Sequence, residues 1–578
     1  MAPLNSFRFS WSYPRLVYST TLYDVVYSTD CSAWLLRDLN LSQHRLSHTS
    51  SSTLQLVKGF IFYLFVMTDS ESLNQVYERL QNGFASRDTF SVDFRLSELR
   101  KLRAFLQSTE SDLLAALNAD VHKKEVEAVG YDLSPIYSDL NYFMRHLSTL
   151  AKPTFASRDF GAPVYVHRQP KGLVLIFSAF NFNIMLGVRP VIDAIAAGNV
   201  VCLKPSEHAT ASERYLQRLT SVLDPRICAV VTGGPQRCTE LLELKWDHIL
   251  YTGNANIGRI VMAAAAKHLT PVTLELGGKS PAIVSASADV RLAAASIAKG
   301  HFINAGQVCL APDYCLVEEE VYAEFVKKLV TTVREFYTDD PKSCRHFGRI
   351  ISSRHVERIA GLVNASEGRI ILGGDYDDSA SHYFSPTVVE VANGDDALMQ
   401  EELFGPVLPI LKVKSVDEAI SFINGRERPL ALYLFSRDDD VTKTVITNTI
   451  SGSVGINETI LQIGGRGSFI GGIGESGIGA YGGKEGFETF SHKRPVMYSS
   501  SLFGRMFQLL LPTFYSTKDG KDNAHVARVT RFVCQIPQTT AGETGWCAKI
   551  ANIYGGISVG IAAMCAEIGG SVKSSKED

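Results

Sequence analysis

GLVLIFSAFNFNIMLGVRPVIDAIAAGNVVCLKPSE, residues 172–207, decides the fold. Two short apolar runs, Gly172 to Phe177 and Asn199 to Pro205, flank a segment whose end, VIDAIAAG, reads as helix. Strands joined through a helical crossover pair in parallel, since a tight turn can only return the chain antiparallel. The same unit recurs in ICAVVTG (Ile227 to Gly233), HILYTG (His248 to Gly253) and VTLEL (Val272 to Leu276), with SERYLQRLTSVL and IGRIVMAAAAKH as helical spacers. The alternation predicts an α/β fold with a doubly wound parallel sheet. Ligands on such sheets bind at the carboxyl ends of the strands, where Lys204, Glu207, Gly253 and Glu275 fall.

Upstream, SLNQVYERLQNGFA and RLSELRKLRAFLQSTESDLLAALNADV carry apolar residues at three- and four-residue intervals and predict helices. Thr109 and Ser111 suit the N-cap of the second part. A further helix is expected over Ser134 to Ala151. Downstream, FVKKLVTTVREFY and HVERIAGLVNASE read as helices. FSPTVVEV, EELFGPVLPILKV, EAISFINGR, ALYLFS and SGSVGIN predict a second α/β region. A glycine-rich segment, Gly464 to Gly483, precedes a strand candidate at Thr489 to Tyr498.

The chain of 578 residues is too long for one core and predicts two or three domains. Its 57 basic and 60 acidic residues leave a net charge of −3, without the basic excess of a nucleic-acid binder. Ten cysteines are scattered, with no CxxC pair and no Cys/His cluster at metal spacing. This points to a reducing, intracellular compartment and to no metal.

Two stretches carry chemistry. HFINAGQVCLAPDYCLV (His301 to Val317) sets Cys309 among turn-forming residues, Ala305, Gly306 and Gln307 before it, Ala311 and Pro312 after it. A lone cysteine is ordinarily a core thiol. The weight shifts with VTLELGGKSPA (Val272 to Ala282), where Glu275 ends an apolar run just before Gly277 and Gly278, since a glutamate is rarely buried without a partner.

LELGGKSP and FINAGQVC, in this order and at this spacing, resemble the signature motifs of the aldehyde dehydrogenase superfamily. NAGQVCLAPDY and GAYGGKEGFETFSHKRP resemble its class 3 and fatty aldehyde dehydrogenase branch. The resemblance runs from about Asp69 to about Tyr498. It implies a Rossmann-type NAD-binding domain (67–149 and 172–276), an α/β catalytic domain (277–480) and a β-arm for dimerisation (150–171 and 481–498). It further implies an NAD(P)-dependent oxidation of an aldehyde to the acid. Cys309 is then the nucleophile, Glu275 the general base and Asn181, in SAFNFNIML, the oxyanion donor. Lys204 and Glu207 bind the adenosine ribose, Gly253, Asn254 and Gly258 the pyrophosphate, and Glu402 and Phe404 the nicotinamide side, with Leu276 beside them. Lys279 is expected to support its loop. Glu207 favours NAD, because a carboxylate repels a 2′-phosphate; NADP is also admitted by the class 3 branch.

Three departures stand out. Asn183 occupies a position where the family usually has proline, Asn254 one where serine is usual, and Phe469-Ile470 replaces a usual Pro-Phe. Gly472-Ile-Gly474-Glu-Ser-Gly477 spells GxGxxG, but no sustained helix follows, so it is expected to be a flexible loop near the active site rather than a dinucleotide fingerprint. The substrate expected from the resemblance is a long-chain or fatty aldehyde, with an apocarotenal as alternative. The intact Glu275 argues against transfer to coenzyme A, and the full residue set against a catalytically silent protein of this fold. Residues 1–66 are expected to be a disordered extension before Met67, and 499–578 a tail and candidate membrane anchor, which would place the enzyme in the cytoplasm or on the cytoplasmic face of an internal membrane.

Overall fold

The computed structural model describes residues 71–157, 163–377, 381–464 and 467–499. The expectations for the N-terminal extension and the C-terminal tail lie outside them. Strands follow in chain order: β1 (Thr154–Ser157), β2 (Val164–Pro170), β3 (Leu173–Phe177), β4 (Val200–Lys204), β5 (Cys228–Val230), β6 (His248–Thr252), β7 (Val272–Glu275), β8 (Pro281–Val284), β9 (Tyr314–Glu318), β10 (Arg369–Leu372), β11 (Tyr376–Asp377), β12 (Tyr383–Phe384), β13 (Thr387–Val391), β14 (Val407–Val413), β15 (Ala431–Phe435), β16 (Ser453–Ile456), β17 (Gly477–Ile478) and β18 (Ser491–Met497).

The first sheet has the order β17-β7-β6-β3-β4-β5 and is parallel except for β17. Its inner strands are buried on both faces, which is why the sequence writes them as unbroken apolar runs. The crossover between β3 and β4 is the helix Asn183–Ala197, buried along its whole length. Ile184, Val188, Val191 and Ile192 are all fully buried there, and each contributes roughly 1.5–3 kcal/mol. Together with the turn before it, Phe180–Ala197 is long and apolar enough to cross a membrane by length and composition; its burial identifies it as a core segment.

The second sheet has the order β10-β13-β14-β9-β8-β15-β16, with only β10 antiparallel. The chain passes from the first sheet to the second through residues 276–280, the middle of the LELGGKSP motif, whose ends lie in β7 and β8. A three-stranded antiparallel sheet, β1-β2-β18, pairs Ser491 with Pro170 and Met497 with Val164.

The early helices are Leu73–Ala85, Val92–Ser108, Glu110–Val121 and Ser134–Leu150. One detail differs from expectation. Thr109 precedes Glu110–Val121 but does not cap it through its side chain; its Oγ1 donates to the Phe105 carbonyl at 2.7 Å and meets the Tyr215 hydroxyl at 2.8 Å. A hydroxyl at a helix junction serves the preceding turn as readily as the following one.

Candidate active site

The helix Val290–Phe302 ends in a turn of three consecutive left-handed residues, Asn304 (φ 52°), Ala305 (φ 53°) and Gly306 (φ 75°). Such backbone is costly for residues with a Cβ and is held only by dense bonding. Gln307 supplies it: its Nε2 donates to the carbonyls of Asn304 and Arg349, both at 2.9 Å, and its Oε1 accepts from the Ile351 N–H at 2.9 Å. The Tyr433 hydroxyl donates to the Leu310 carbonyl at 2.6 Å on the far side. Cys309 sits between these anchors as a half-buried residue in an otherwise buried stretch. Burial pushes its thiol up to about 12, with the carboxylates of Glu402 and then Glu275 adding to the effect.

Glu275 ends β7 with 3% of its surface exposed, and neither carboxylate oxygen has a hydrogen-bond partner. Burial holds its carboxyl well above the usual range, and the Arg189 guanidinium offsets this only in part. Glu402 lies against the glycine pair. A Cβ on Gly277 would stand 2.0 Å from its Oε2, so only glycine admits this approach. Burial and the neighbouring Asp313 raise Glu402 to about 8, against the pull of the Gly278 N–H, Lys279 and Arg358. Phe404, at φ 46°, meets Phe180 edge to face at 5.7 Å.

Asn181 is buried in the short turn after β3. Its Nδ2 donates to the Gln307 carbonyl at 3.1 Å, two residues before the cysteine. Its own backbone carbonyl accepts from Lys123 Nζ at 3.0 Å and from Asn304 Nδ2 at 3.1 Å. Asn181, Cys309, Glu275, Glu402 and Phe404 thus converge from both sheets. Asn183, the departure from the family pattern, starts the crossover helix and links β3 to the loop after β4. Its Oδ1 accepts from Ser178 Oγ at 2.6 Å and from the Ser206 N–H at 3.1 Å.

On the other side of the sheet edge, Lys204 closes β4 and donates to Glu207 at 3.1 Å. Burial would raise the Glu207 carboxyl, but its own backbone N–H and Lys204 outweigh that and hold it below its ordinary value. The Gly253 N–H donates to the Glu275 carbonyl at 3.0 Å, tying the loop after β6 to the end of β7. Asn254 caps the helix Ala255–Ala266 by accepting from the Ile257 N–H at 3.0 Å, the same service a serine would give there. A Cβ on Gly258 would stand 2.8 Å from Leu276 Cδ2, so glycine lets this helix lie against the strand end.

Lys279 is committed to its loop: it pairs with Asp313 and donates to the Leu398 and Glu401 carbonyls at 2.8 and 3.0 Å. Asp313 also accepts from the Leu403 N–H at 3.1 Å, joining three motifs. Neither this role nor the fully buried Lys123–Asp132 pair (2.9 Å) behind Asn181 was legible in the sequence. Arg189, paired with buried Asp139 at 2.7 Å and 5.7 Å from the Tyr481 ring, was equally hidden. The Lys279 and Arg189 pairs join residues distant in sequence, and Lys123, though only nine residues from Asp132, also reaches the distant Asn181 carbonyl. The GxGxxG segment is more ordered than a flexible loop. Gly474 bridges to Gly477, which pairs with Glu275 as β17, and a Cβ on Gly472 would stand 2.0 Å from the Ser476 carbonyl. The glycines allow a tight turn beside Glu275.

A profile described as "Aldehyde dehydrogenase family" matches residues 57–496. The mouse protein named aldehyde dehydrogenase family 3 member A2 is 43% identical over 423 residues, covering 72% of this chain and 87% of its own length. The dog protein named aldehyde dehydrogenase, dimeric NADP-preferring, is 41% identical over 445 residues, covering 74% and 96%. Among solved structures, the substrate-bound state of Staphylococcus aureus AldH superposes with a TM-score of 0.73 at 36% identity, covering 77% of this chain and all of that one.

Proposed function

The chain belongs to the aldehyde dehydrogenase family and is an NAD(P)-dependent enzyme that oxidises an aldehyde; from that premise we propose that its substrate is a hydrophobic, long-chain aldehyde and that Cys309, Glu275 and Asn181 carry the chemistry. The observation that supports this most is a half-buried thiol in the field of a buried carboxyl that has no hydrogen-bond partner. A carboxylate left unsatisfied in the interior is costly, so Glu275 holds a raised affinity for a proton coming from thiol or water.

Cys309 attacks the carbonyl carbon as thiolate, after its proton has passed to Glu275, and forms a thiohemiacetal. The second N–H of the Asn181 amide and the Cys309 backbone N–H stabilise the oxygen charge, each such donor being worth about 3 kcal/mol. The bound nicotinamide supplies the acceptor for the hydride, which leaves a thioester on Cys309. Glu275 releases the thiol's proton to solvent and, as carboxylate again, takes a proton from water, which attacks the thioester and releases the acid and the Cys309 thiolate. The raised affinity of Glu275 for protons suits both transfers.

The residues present fit a dinucleotide. Lys204 as donor and ionised Glu207 as acceptor suit ribose hydroxyls, and the helix beginning at Ala255 offers its N-terminus to a pyrophosphate. Glu402 and Phe404 would flank the nicotinamide. The relatives named as family 3 members, and the class 3 motif string, support a hydrophobic aldehyde. The dimeric dog relative supports a homodimer, for which β1, β2 and β18 would be the arm.

The test is NADH formation with aliphatic aldehydes from short to very long chains in detergent micelles, for wild type and Cys309→Ala. Turnover should rise with chain length and vanish in the variant. A preference for short aldehydes would defeat the substrate reading, and turnover surviving in Cys309→Ala would defeat the mechanism.

A further inference from the structure

A cavity of about 710 Å³ opens at the root of the three-stranded arm. It lies at the amino-terminal edge of the first sheet, where Lys171 precedes β3, Asp247 precedes β6 and Pro271 precedes β7. The candidate active site occupies the opposite edge, at the ends of β4, β6 and β7. Nothing in the proposed chemistry uses this cavity.

Its central group is Lys171. The half-buried ammonium contacts His248 Nδ1 at 3.0 Å, and His248 Nε2 contacts Thr273 Oγ1 at 3.0 Å. An ammonium only donates, so Nδ1 must accept, the ring proton must sit on Nε2, and the imidazole is neutral. Lys171 therefore satisfies one of its three donors with an uncharged partner, and among the described residues no carboxylate pairs with it. The two acids that line the cavity are engaged elsewhere. Asp247 accepts from the Leu173 N–H at 2.8 Å, and Glu488 binds Arg168 at 2.7 Å and Lys493 at 3.3 Å. The side chains of Lys245, His268 and His492 reach the same cavity and have no hydrogen-bond or ion-pair partner among the described residues.

We infer that this cavity is a binding site for a phosphate monoester, with the Lys171 ammonium as its principal anchor. A phosphate offers three acceptor oxygens and up to two negative charges, which matches an ammonium with two idle donors and cationic or imidazole side chains brought in by the arm and by the loops at the sheet edge. The volume exceeds that of inorganic phosphate. The surplus is walled in part by Pro170, Pro271 and Leu269, the last 92% exposed, so the ester's organic part has an apolar surface to lie on. A ligand there would bridge the arm, through His492 and Lys493, to the body of the protein. Burial draws the Lys171 ammonium down to about 8, so binding should weaken as pH rises through that value, in the field of Asp247, Glu488, His248 and Lys245 around it.

The experiment uses the full chain saturated with NAD, so that the helix beginning at Ala255 is not the site titrated. Glycerol 3-phosphate is added in a calorimeter, and phosphatidylcholine vesicles with and without phosphatidic acid are tested by co-sedimentation. Wild type should bind one of these probes, and Lys171→Met should weaken that binding at least tenfold while aldehyde turnover is unchanged. Lys245→Ala with His268→Ala should weaken it several-fold, and this pair of rim substitutions decides the matter if Lys171→Met does not fold. Binding of the soluble ester identifies a metabolite, and binding only to phosphatidic acid vesicles identifies a lipid headgroup. Failure of both probes to bind wild type, or binding that survives these substitutions unchanged, overturns the assignment.

Discussion

Glu275 and Glu402 are carboxyls that the fold keeps from ionising easily, and the sign of that effect can be measured. A carboxyl whose pKa is raised on folding binds its proton more tightly in the native state than in the unfolded chain. Its contribution to stability is whole at low pH and is lost as pH climbs from the unfolded value of about 4.3 toward the folded one. For Glu402 the window ends near 8. Glu275→Gln and Glu402→Gln should therefore unfold at the same temperature as wild type near pH 4 and at a higher one at pH 8, while Glu275→Gln, on the proposed mechanism, should lose thioester hydrolysis. Equal midpoints at both pH values would show that neither carboxyl is held as described. The same charges act on Cys309. With its thiol pushed up to about 12, alkylation of the cofactor-free enzyme by iodoacetamide should keep rising through pH 10, where an ordinary thiol has levelled off. Glu402→Gln should quicken alkylation several-fold at fixed pH near 9, because Glu402 is the larger of the two repulsions. A plateau below pH 9, or no change in the variant, would contradict this electrostatic picture.

The turn before Cys309 is the element on which the geometry depends most. Gly306 combines a φ of 75° with a Cβ position 2.1 Å from the Gly405 carbonyl oxygen. Left-handed backbone alone costs a residue with a Cβ about 1–2 kcal/mol, and the collision with main chain adds to it. Gly306→Ala should lower the thermal midpoint by several degrees and remove turnover together; a variant with normal stability would mean that the turn can relax. That this segment is a turn was legible from Gly306 and Pro312. That Asn304 and Ala305 also turn left-handed was not, because Gln307 enforces it through Arg349 and Ile351, more than forty residues downstream. The strands show the same division. β3, β4 and β6 are uninterrupted apolar runs and read directly. β8 and β9 were absorbed into the motifs that precede them, since PAIV follows LELGGKS at once and YCLVE follows the cysteine turn. β10 is a short edge strand, exposed over half its length, and its three apolar residues, Ile370 to Leu372, are too few to stand out in sequence. Asp313 and Arg189 were invisible because an ionic residue in sequence carries no sign of a partner far along the chain, and Lys123 because nothing in sequence shows that it is buried against the Asn181 carbonyl.

At the scale of the molecule, the chain closes on itself after finishing its second sheet. β17 adds an antiparallel edge to the first sheet beside Glu275, the Gly482 N–H donates to buried Asp193 of the crossover helix at 2.9 Å, and β18 pairs along β2. The glycine-rich segment belongs to this closure, which is why its GxGxxG spelling misleads when read alone. Because the closing segments grip the strand that bears Glu275 and the helix behind it, a ligand bound at the sheet edge should stabilise the whole described unit and not merely a loop. NAD at a hundred times its Kd should add about 2.7 kcal/mol to unfolding, seen as a rise in the thermal midpoint, and Lys204→Met should reduce that rise at the same concentration. On the proposed reading, the choice between cofactors rests on one ionised group. Glu207, held below its ordinary value, stands where the adenosine ribose is expected, so NADP at equal concentration should stabilise wild type less than NAD. Glu207→Gln removes the charge but keeps a hydrogen-bonding side chain, and should narrow the gap between the two cofactors mainly by improving NADP. If wild type is stabilised more by NADP and Glu207→Gln changes neither cofactor, the ribose does not lie against Glu207, and the phosphate must be accommodated by cations elsewhere on the sheet edge.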